Sequence, residues 1–145
     1  MFLVVDFESR RPAYLQLRDQ IVQGIATGAL APGDSLPSVR RLASELGLNL
    51  HTVNKAFTVL RDEGFVRLTE RQSATVDPKP EAPSAAEPRL AAALTPLLAE
   101  FVVKGLSREA VMAQVAHVLE PMSSPAPASQ TPARSFRWPA EAKAP

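Results

Sequence analysis

Apolar residues in this chain recur at three- and four-residue steps in several separate stretches. Tyr14, Leu17, Ile21 and Ile25 form the first repeat, Val39, Leu42, Ala43 and Leu46 the second, and Val53, Ala56, Phe57 and Leu60 the third. Each follows the spacing of one buried helical face, so three helices are predicted. Pro12 fits the first turn of the first helix and Gly28 ends it. Leu30 to Asp34 then turn about Pro32-Gly33. Gly47 stops the second helix, because glycine takes the left-handed closing conformation without strain. Asn49 is placed to cap the third helix, and Gly64 to end it. Phe65 to Leu68 and Ser73 to Val76 read as two strands joined around Thr69 to Gln72. Residues 2–7 alternate weakly, which predicts a short strand or an extended arm ahead of the first helix.

Beyond residue 77 the pattern changes character. Residues 78–88, PKPEAPSAAEP, are rich in proline, alanine and charge and read as a linker. From Arg89 to Glu120 a helical repeat returns: Leu90, Leu94, Leu97, Leu98 and Phe101, then, past Gly105 and a capping Ser107, Val111, Val115, Val118 and Leu119. Either Thr95-Pro96 starts a new helix as cap and first residue, or the helix kinks at Pro96. Two short helices cannot bury both stripes by themselves, so the stripes call for a partner surface. A second copy of the chain is the expected one; packing onto the chain's own N-terminal domain is the alternative. Residues 121–145 carry six of the 14 prolines and are expected to be disordered, with Phe136 and Trp138 either a docking motif or part of a solvated tail.

Composition changes this picture little. A chain of 145 residues with 46% hydrophobic content accommodates one ordinary domain and an appendage. No apolar run approaches the ~20 residues of a membrane span, and the opening MFLVV meets Asp6 and Glu8 too soon for a secretory signal. The expectation is a soluble, cytoplasmic protein with no membrane partner. Without cysteine there are no disulfides or thiolate sites, and His51 and His117 lack the spacing of metal ligands. No metal and no cofactor is expected. Net charge is +1, and residues 1–77 hold nine Lys/Arg against nine Asp/Glu. Bulk charge is therefore silent on a nucleic-acid partner. Arg10, Arg11, Arg40, Arg41 and Lys55 nonetheless fall near helix starts or on outward faces, which can give a neutral domain a basic face.

A helix, a short turn holding a glycine, and a second helix with a polar outer face make a helix-turn-helix, whose second helix is suited to the DNA major groove. The stretch PGDSLPSVRRLASELGLNLHTVNKAF carries a more specific signal. It resembles the winged-helix domain of the GntR family of bacterial transcription regulators. The pattern comprises Pro32-Gly33-Asp34, Leu36-Pro37-Ser38, Arg40, Leu42-Ala43, Leu46-Gly47, Asn49, Thr52-Val53 and Ala56, and extends back to Pro12-Ala13-Tyr14-Leu15-Gln16-Leu17. A short C-terminal arm in place of a large ligand-binding domain is similar to the YtrA-like subgroup. The resemblance spans roughly residues 2–120. It implies a mainly α fold with a small β-hairpin wing: a winged helix-turn-helix over 2–77 followed by a two-helix dimerisation arm over 89–120.

Mapped residue by residue, the resemblance implies DNA contact at Arg40, Asn49, Leu50, His51, Thr52 and Asn54. The side chains suit that role in different ways. Asn54 can bond adenine N6 and N7 together, and Arg40 can reach a phosphate or a guanine edge. His51 can donate to a base or phosphate. Thr52 suits a phosphate, and so do the backbone N–H groups at the helix start. Leu50 offers only apolar contact, with a thymine methyl for instance. Lys55 contributes general electrostatic attraction. The alternative for Asn49 is a cap alone, and Thr52 is equally explained as a buried helix-start residue. The wing departs from the family pattern: Thr69-Glu70-Arg71-Gln72-Ser73 lacks glycine, and Arg71 is its remaining cation.

The expected function is that of a homodimeric, sequence-specific regulator, a repressor of its own or a neighbouring operon, with transporter operons the implied target class. It would bind an inverted repeat in double-stranded DNA. A winged helix used for protein contact is the competing class; it predicts an apolar outer face on the third helix, where His51, Asn54, Lys55 and Thr58 are polar. An enzyme is not expected, for want of a nucleophile–base pair, a phosphate-cradling loop or a ligand cluster. The arm of about thirty residues is too small to enclose a pocket of ~300 Å³ alone. A small-molecule effector, if there is one, is not identified by the sequence.

Overall fold

Five α-helices and one β-hairpin make up the computed structural model, which describes residues 3–70, 73–77 and 86–122. They are α1 (Ala13–Ala26), α2 (Val39–Leu46), α3 (Leu50–Asp62), β1 (Val66–Leu68), β2 (Ala74–Val76), α4 (Ala86–Val103) and α5 (Arg108–Leu119), with a 3-10 turn at Glu120–Met122. Two units divide them: one holds α1 to β2, the other α4 and α5.

The first unit closes around the side chains that the helical repeats single out. Leu17 and Ile21 of α1, Val39, Leu42 and Ala43 of α2, and Val53, Ala56, Phe57 and Leu60 of α3 are buried together. Tyr14, Ile25 and Leu46 are half-buried against them. Leu3, Leu30, Leu36, Val66, Ala74 and Val76 complete the core from the loops and the hairpin. The predicted helix ends hold. Gly47, at φ 65°, closes α2, and its N–H bonds the Ala43 carbonyl. Asn49 caps α3 through Oδ1, which accepts the His51 N–H at 2.8 Å. Ser38 caps α2, accepting the Arg41 N–H at 3.3 Å.

The hairpin pairs Val66 with Val76, Arg67 with Thr75 and Leu68 with Ala74, antiparallel. Val66, Ala74 and Val76 are buried, with Thr75 half-buried between the last two, while Arg67 and Leu68 are exposed. The other edge of β2 is not open. Leu36 N–H donates to the Ala74 carbonyl at 2.7 Å, Val76 N–H to the Asp34 carbonyl at 2.8 Å, and Gly33 N–H to the Val76 carbonyl at 3.0 Å. The segment expected only to turn around Pro32-Gly33 thus also lies beside β2, bridging Ser35 to Thr75. Asp34 is buried there, its carboxylate accepting the Ala31 N–H at 2.9 Å. At the wing tip the Thr69 N–H bonds the Ser73 carbonyl at 2.9 Å, and the two hydroxyls meet at 2.6 Å.

The N-terminal segment is an extended arm rather than a strand. Two glutamines one helical turn apart on α1 hold it. Gln20 exchanges two bonds with the backbone of Val4, at 2.9 and 2.6 Å. Gln16 accepts the Asp6 N–H and donates to the Asp6 carbonyl, both at 2.9 Å. Each side-chain amide replaces the neighbouring strand that the arm's backbone lacks. Arg18 ties α1 to the end of α3 through Glu63 and also bonds Asp19 at 3.0 Å. The Glu63 bond, with Asp19 adding to it, holds the Arg18 guanidinium above its usual pKa, outweighing its partial burial.

In the second unit α4 begins at Ala86, three residues before the expected Arg89, within the stretch read as linker. Pro88 does not prevent this, because N–H groups of a first helical turn have no partner inside the helix. The helix continues through Pro96 rather than restarting at Thr95. Proline leaves the Ala92 carbonyl without its usual donor. The Thr95 hydroxyl donates to the Ala91 carbonyl at 2.7 Å, so it is not a cap. Gly105 ends α4's continuation, and Ser107 caps α5 by accepting the Ala110 N–H at 3.1 Å. No residue of α4 or α5 is buried. Leu94, Leu98 and Val111 are half-buried, while Leu90, Leu97, Phe101, Val115, Val118 and Leu119 are exposed. Among the described residues no helix is long and apolar enough to cross a membrane.

Candidate nucleic-acid interface

The face of α3 opposite its core stripe is polar and open. His51, Asn54 and Lys55 are exposed, Thr52 and Thr58 half-buried, and Leu50 is 45% exposed at the helix start. Leu50 is the one large hydrophobic of this helix to reach solvent to that extent. Core packing forces this orientation: Val53, Ala56, Phe57 and Leu60 must face inward, which turns residues 51, 54, 55 and 58 outward.

Capping narrows what the helix start can do. Asn49 uses one lone pair of Oδ1 on the His51 N–H, and its Nδ2 donors, suited to phosphate, are not engaged by that bond. The Thr52 N–H bonds the Asn49 carbonyl at 3.0 Å. Asn49 therefore caps, and as an exposed residue it still has two N–H bonds to give.

Charge bookkeeping within the unit is more selective than the sequence suggests. Arg11 pairs with Asp19 at 2.6 Å, Arg18 with Asp19 and Glu63, Arg41 with Glu45 at 2.8 Å, Arg61 with Asp62 at 2.9 Å and Arg67 with Asp77 at 3.1 Å. Arg10, Arg40 and Lys55 form no ion pair with a described carboxylate. Among the described residues of the unit, the positive charge outside these ion pairs thus sits at the start of α2, on the open face of α3, and just ahead of α1. Arg40, which the family pattern already favoured, and Arg41 are further set apart by Glu45, one helical turn beyond Arg41. Lys55 is held another way: its ammonium lies 4.2 Å from the centroid of the Tyr14 ring, on the first turn of α1.

Arg40, Asn49, Leu50, His51, Thr52, Asn54 and Lys55 therefore all lie on α2, α3 or the turn between them, and most are exposed. Arg71 lies outside the described residues, as do Phe136 and Trp138. Tyr14 and Arg10 were not among the predicted contacts. Tyr14 fell on the apolar stripe of α1, and its spacing gave no sign that its ring would meet Lys55. Among the described residues no group of acidic or histidine side chains is arranged to hold a metal ion.

Comparison with known proteins bears on this geometry. Residues 13–76, which span α1 to β2, match the family described as bacterial regulatory proteins, gntR family. The solved structure of YtrA from Sulfolobus acidocaldarius, a GntR-family transcription factor, is 41% identical, with a TM-score of 0.56 over 68% of this chain and 99% of that one. The chain belongs to the GntR family. Its first unit is the family's winged helix-turn-helix, and the expected fold is the observed one. Among curated relatives, the HTH-type transcriptional regulator Rv1152 of Mycobacterium tuberculosis is 40% identical over 70 residues, 48% of this chain and 58% of that protein. The HTH-type transcriptional repressor YtrA of Bacillus subtilis is 40% identical over 62 residues, 43% of this chain and 48% of that protein. The matched stretch thus spans about half the length of these two relatives. This GntR-family chain is YtrA-like in its winged helix, and the likeness to these two curated relatives covers less than half of it.

Proposed function

We propose that this GntR-family protein is a cytoplasmic, homodimeric transcription regulator that binds an inverted-repeat operator and represses the adjoining genes. The observation that carries the reading is the open face of α3, where His51, Asn54 and Lys55 stand exposed, with Arg40 exposed at the start of α2. Asn54 supplies base reading through its carboxamide, with His51 and Arg40 beside it; Asn49, Thr52 and Lys55 serve phosphates, and Leu50 a thymine methyl. Arg71 is assigned to the wing's share of the contact. The names of the YtrA relatives, one a repressor, support the regulatory sense. Dimerisation is assigned to Leu90, Leu94, Leu97, Leu98 and Phe101 of α4 with Val111, Val115, Val118 and Leu119 of α5, apolar positions none of which is buried. A two-fold dimer places two α3 helices on one side of the duplex, about one helical turn or a multiple apart.

Selection of duplexes from a random pool, followed by footprinting, tests the proposal. It expects two inverted half-sites protected on one face, and binding that weakens steeply with salt as several phosphates are neutralised. Enrichment of no sequence would refute site-specific binding, and a single asymmetric half-site would refute the dimer.

A further inference from the structure

Lys55 is the one described lysine of the winged-helix unit, and it is held without being neutralised. Five neighbouring arginines spend their charge on carboxylates, whereas Lys55 rests over the face of Tyr14 with its ammonium 4.2 Å from the ring centroid. The two modes differ physically. A carboxylate cancels the charge and takes up N–H donors, while an aromatic quadrupole attracts the cation and leaves its formal charge intact. The ring also confines a side chain that otherwise loses much rotamer freedom on being fixed. Tyr14 is itself held in place, half-buried against the core in the first turn of α1.

We propose that Tyr14 is a positioning residue for DNA: it presents Lys55 of α3, charged and pre-ordered, to a backbone phosphate on the α1 side of the recognition helix. This rests on the reading of α3 as the DNA-facing helix. It predicts a contact that sets affinity and salt dependence and adds nothing to base choice, since a point charge on a phosphate carries no sequence information.

The test uses full-length protein, a duplex enriched from a random pool by the unmodified protein, and a scrambled duplex of equal length. Four variants are compared: Tyr14→Phe, Tyr14→Leu, Lys55→Ala and the Tyr14→Leu/Lys55→Ala pair, with Asn54→Ala as a reference and thermal midpoints checking that each is folded. Tyr14→Phe keeps the ring and should bind like the unmodified protein. Tyr14→Leu keeps apolar packing and should weaken both duplexes about two- to fivefold. Lys55→Ala should weaken both further and lower the logarithmic salt slope by about 0.9 for each protomer bound, about 1.8 for the dimer. The double variant should be no worse than Lys55→Ala alone, because Tyr14 acts through the lysine. In the free protein the Lys55 ε-methylene proton resonance should be displaced upfield by the ring, retained in Tyr14→Phe and lost in Tyr14→Leu.

Independent, additive losses, or Tyr14→Phe behaving like Tyr14→Leu, would overturn the positioning role. An intact ring displacement with no loss from Lys55→Ala would also overturn it, while a loss from Asn54→Ala would leave the reading of α3 standing. If Asn54→Ala too had no effect, the reading of α3 would itself fall.

Discussion

The two units of this protein treat apolar side chains in opposite ways. From α1 to β2, the helical stripes meet one another, and Leu17, Ile21, Leu42, Val53, Phe57 and Leu60 retain almost no exposure. In α4 and α5 apolar residues at helical spacing remain open, with Leu90 60% and Leu97 50% exposed. The local signal is of the same kind in both. What differs is the number of faces available: three helices, a hairpin and the segment beside it can enclose a core, and two short helices cannot. An amphipathic pattern therefore announces that a face will be covered without naming what covers it.

The sharpest contrast comes from removing one large side chain in each unit. Phe57→Ala empties the centre of the first core and should cost about 3–5 kcal/mol of folding stability. Chemical denaturation followed by circular dichroism measures it. Phe101→Asp should leave the unfolding of the winged helix unchanged and instead shift sedimentation from dimer to monomer. The loss in association would be about 2 kcal/mol or more, as for a buried interface anchor. A winged helix that melts earlier in Phe101→Asp, or an unmodified protein monomeric at micromolar concentration, would break the comparison.

Smaller effects refine the DNA face. Asn54→Ala should cost about 1–3 kcal/mol on the preferred duplex and relax one base position per half-site, read by binding to single-base variants of that duplex. A uniform loss across sequences would make Asn54 a phosphate contact and pass base reading to His51 and Arg40. Arg41→Ala should be the mildest, within about 0.5 kcal/mol and equal on preferred and scrambled duplexes, since its guanidinium is spent on the exposed Glu45 pair. Arg40→Ala measured beside it should weaken binding more strongly, and equality of the two would remove the distinction that Glu45 makes.

Much of this was legible in advance because it is local. The three helices of the first unit and both strands lie close to where periodicity and glycine place them. Asn49 and Ser107 cap as their positions require, since a cap depends on a residue and its next three neighbours. The start of α4 was less legible: Glu87-Pro88 reads as linker, yet a proline in a first helical turn disturbs nothing. The candidate interface was legible as a list of residues on one helical face. Its internal division was legible only where the pair is local, as with Arg41 and Glu45 one helical turn apart; the contact of Lys55 with Tyr14 left no such sign.

The sequence by itself determined the helix-turn-helix, its capping residues, the hairpin and the polar outer face of α3, all set by interactions within a few residues. It also marked α4 and α5 as helices rich in apolar positions. Only the tertiary structure decided that residues 33–36 lie along β2, that Gln16 and Gln20 hold the N-terminal arm, and that Arg18 of α1 meets Glu63 at the end of α3. It alone brought Lys55 over Tyr14, 41 positions away in the chain. The physical reason is range. Backbone propensity and capping act between near neighbours along the chain, whereas charge pairing, sheet edges and ring contacts depend on distances in space that exist only once the core has closed.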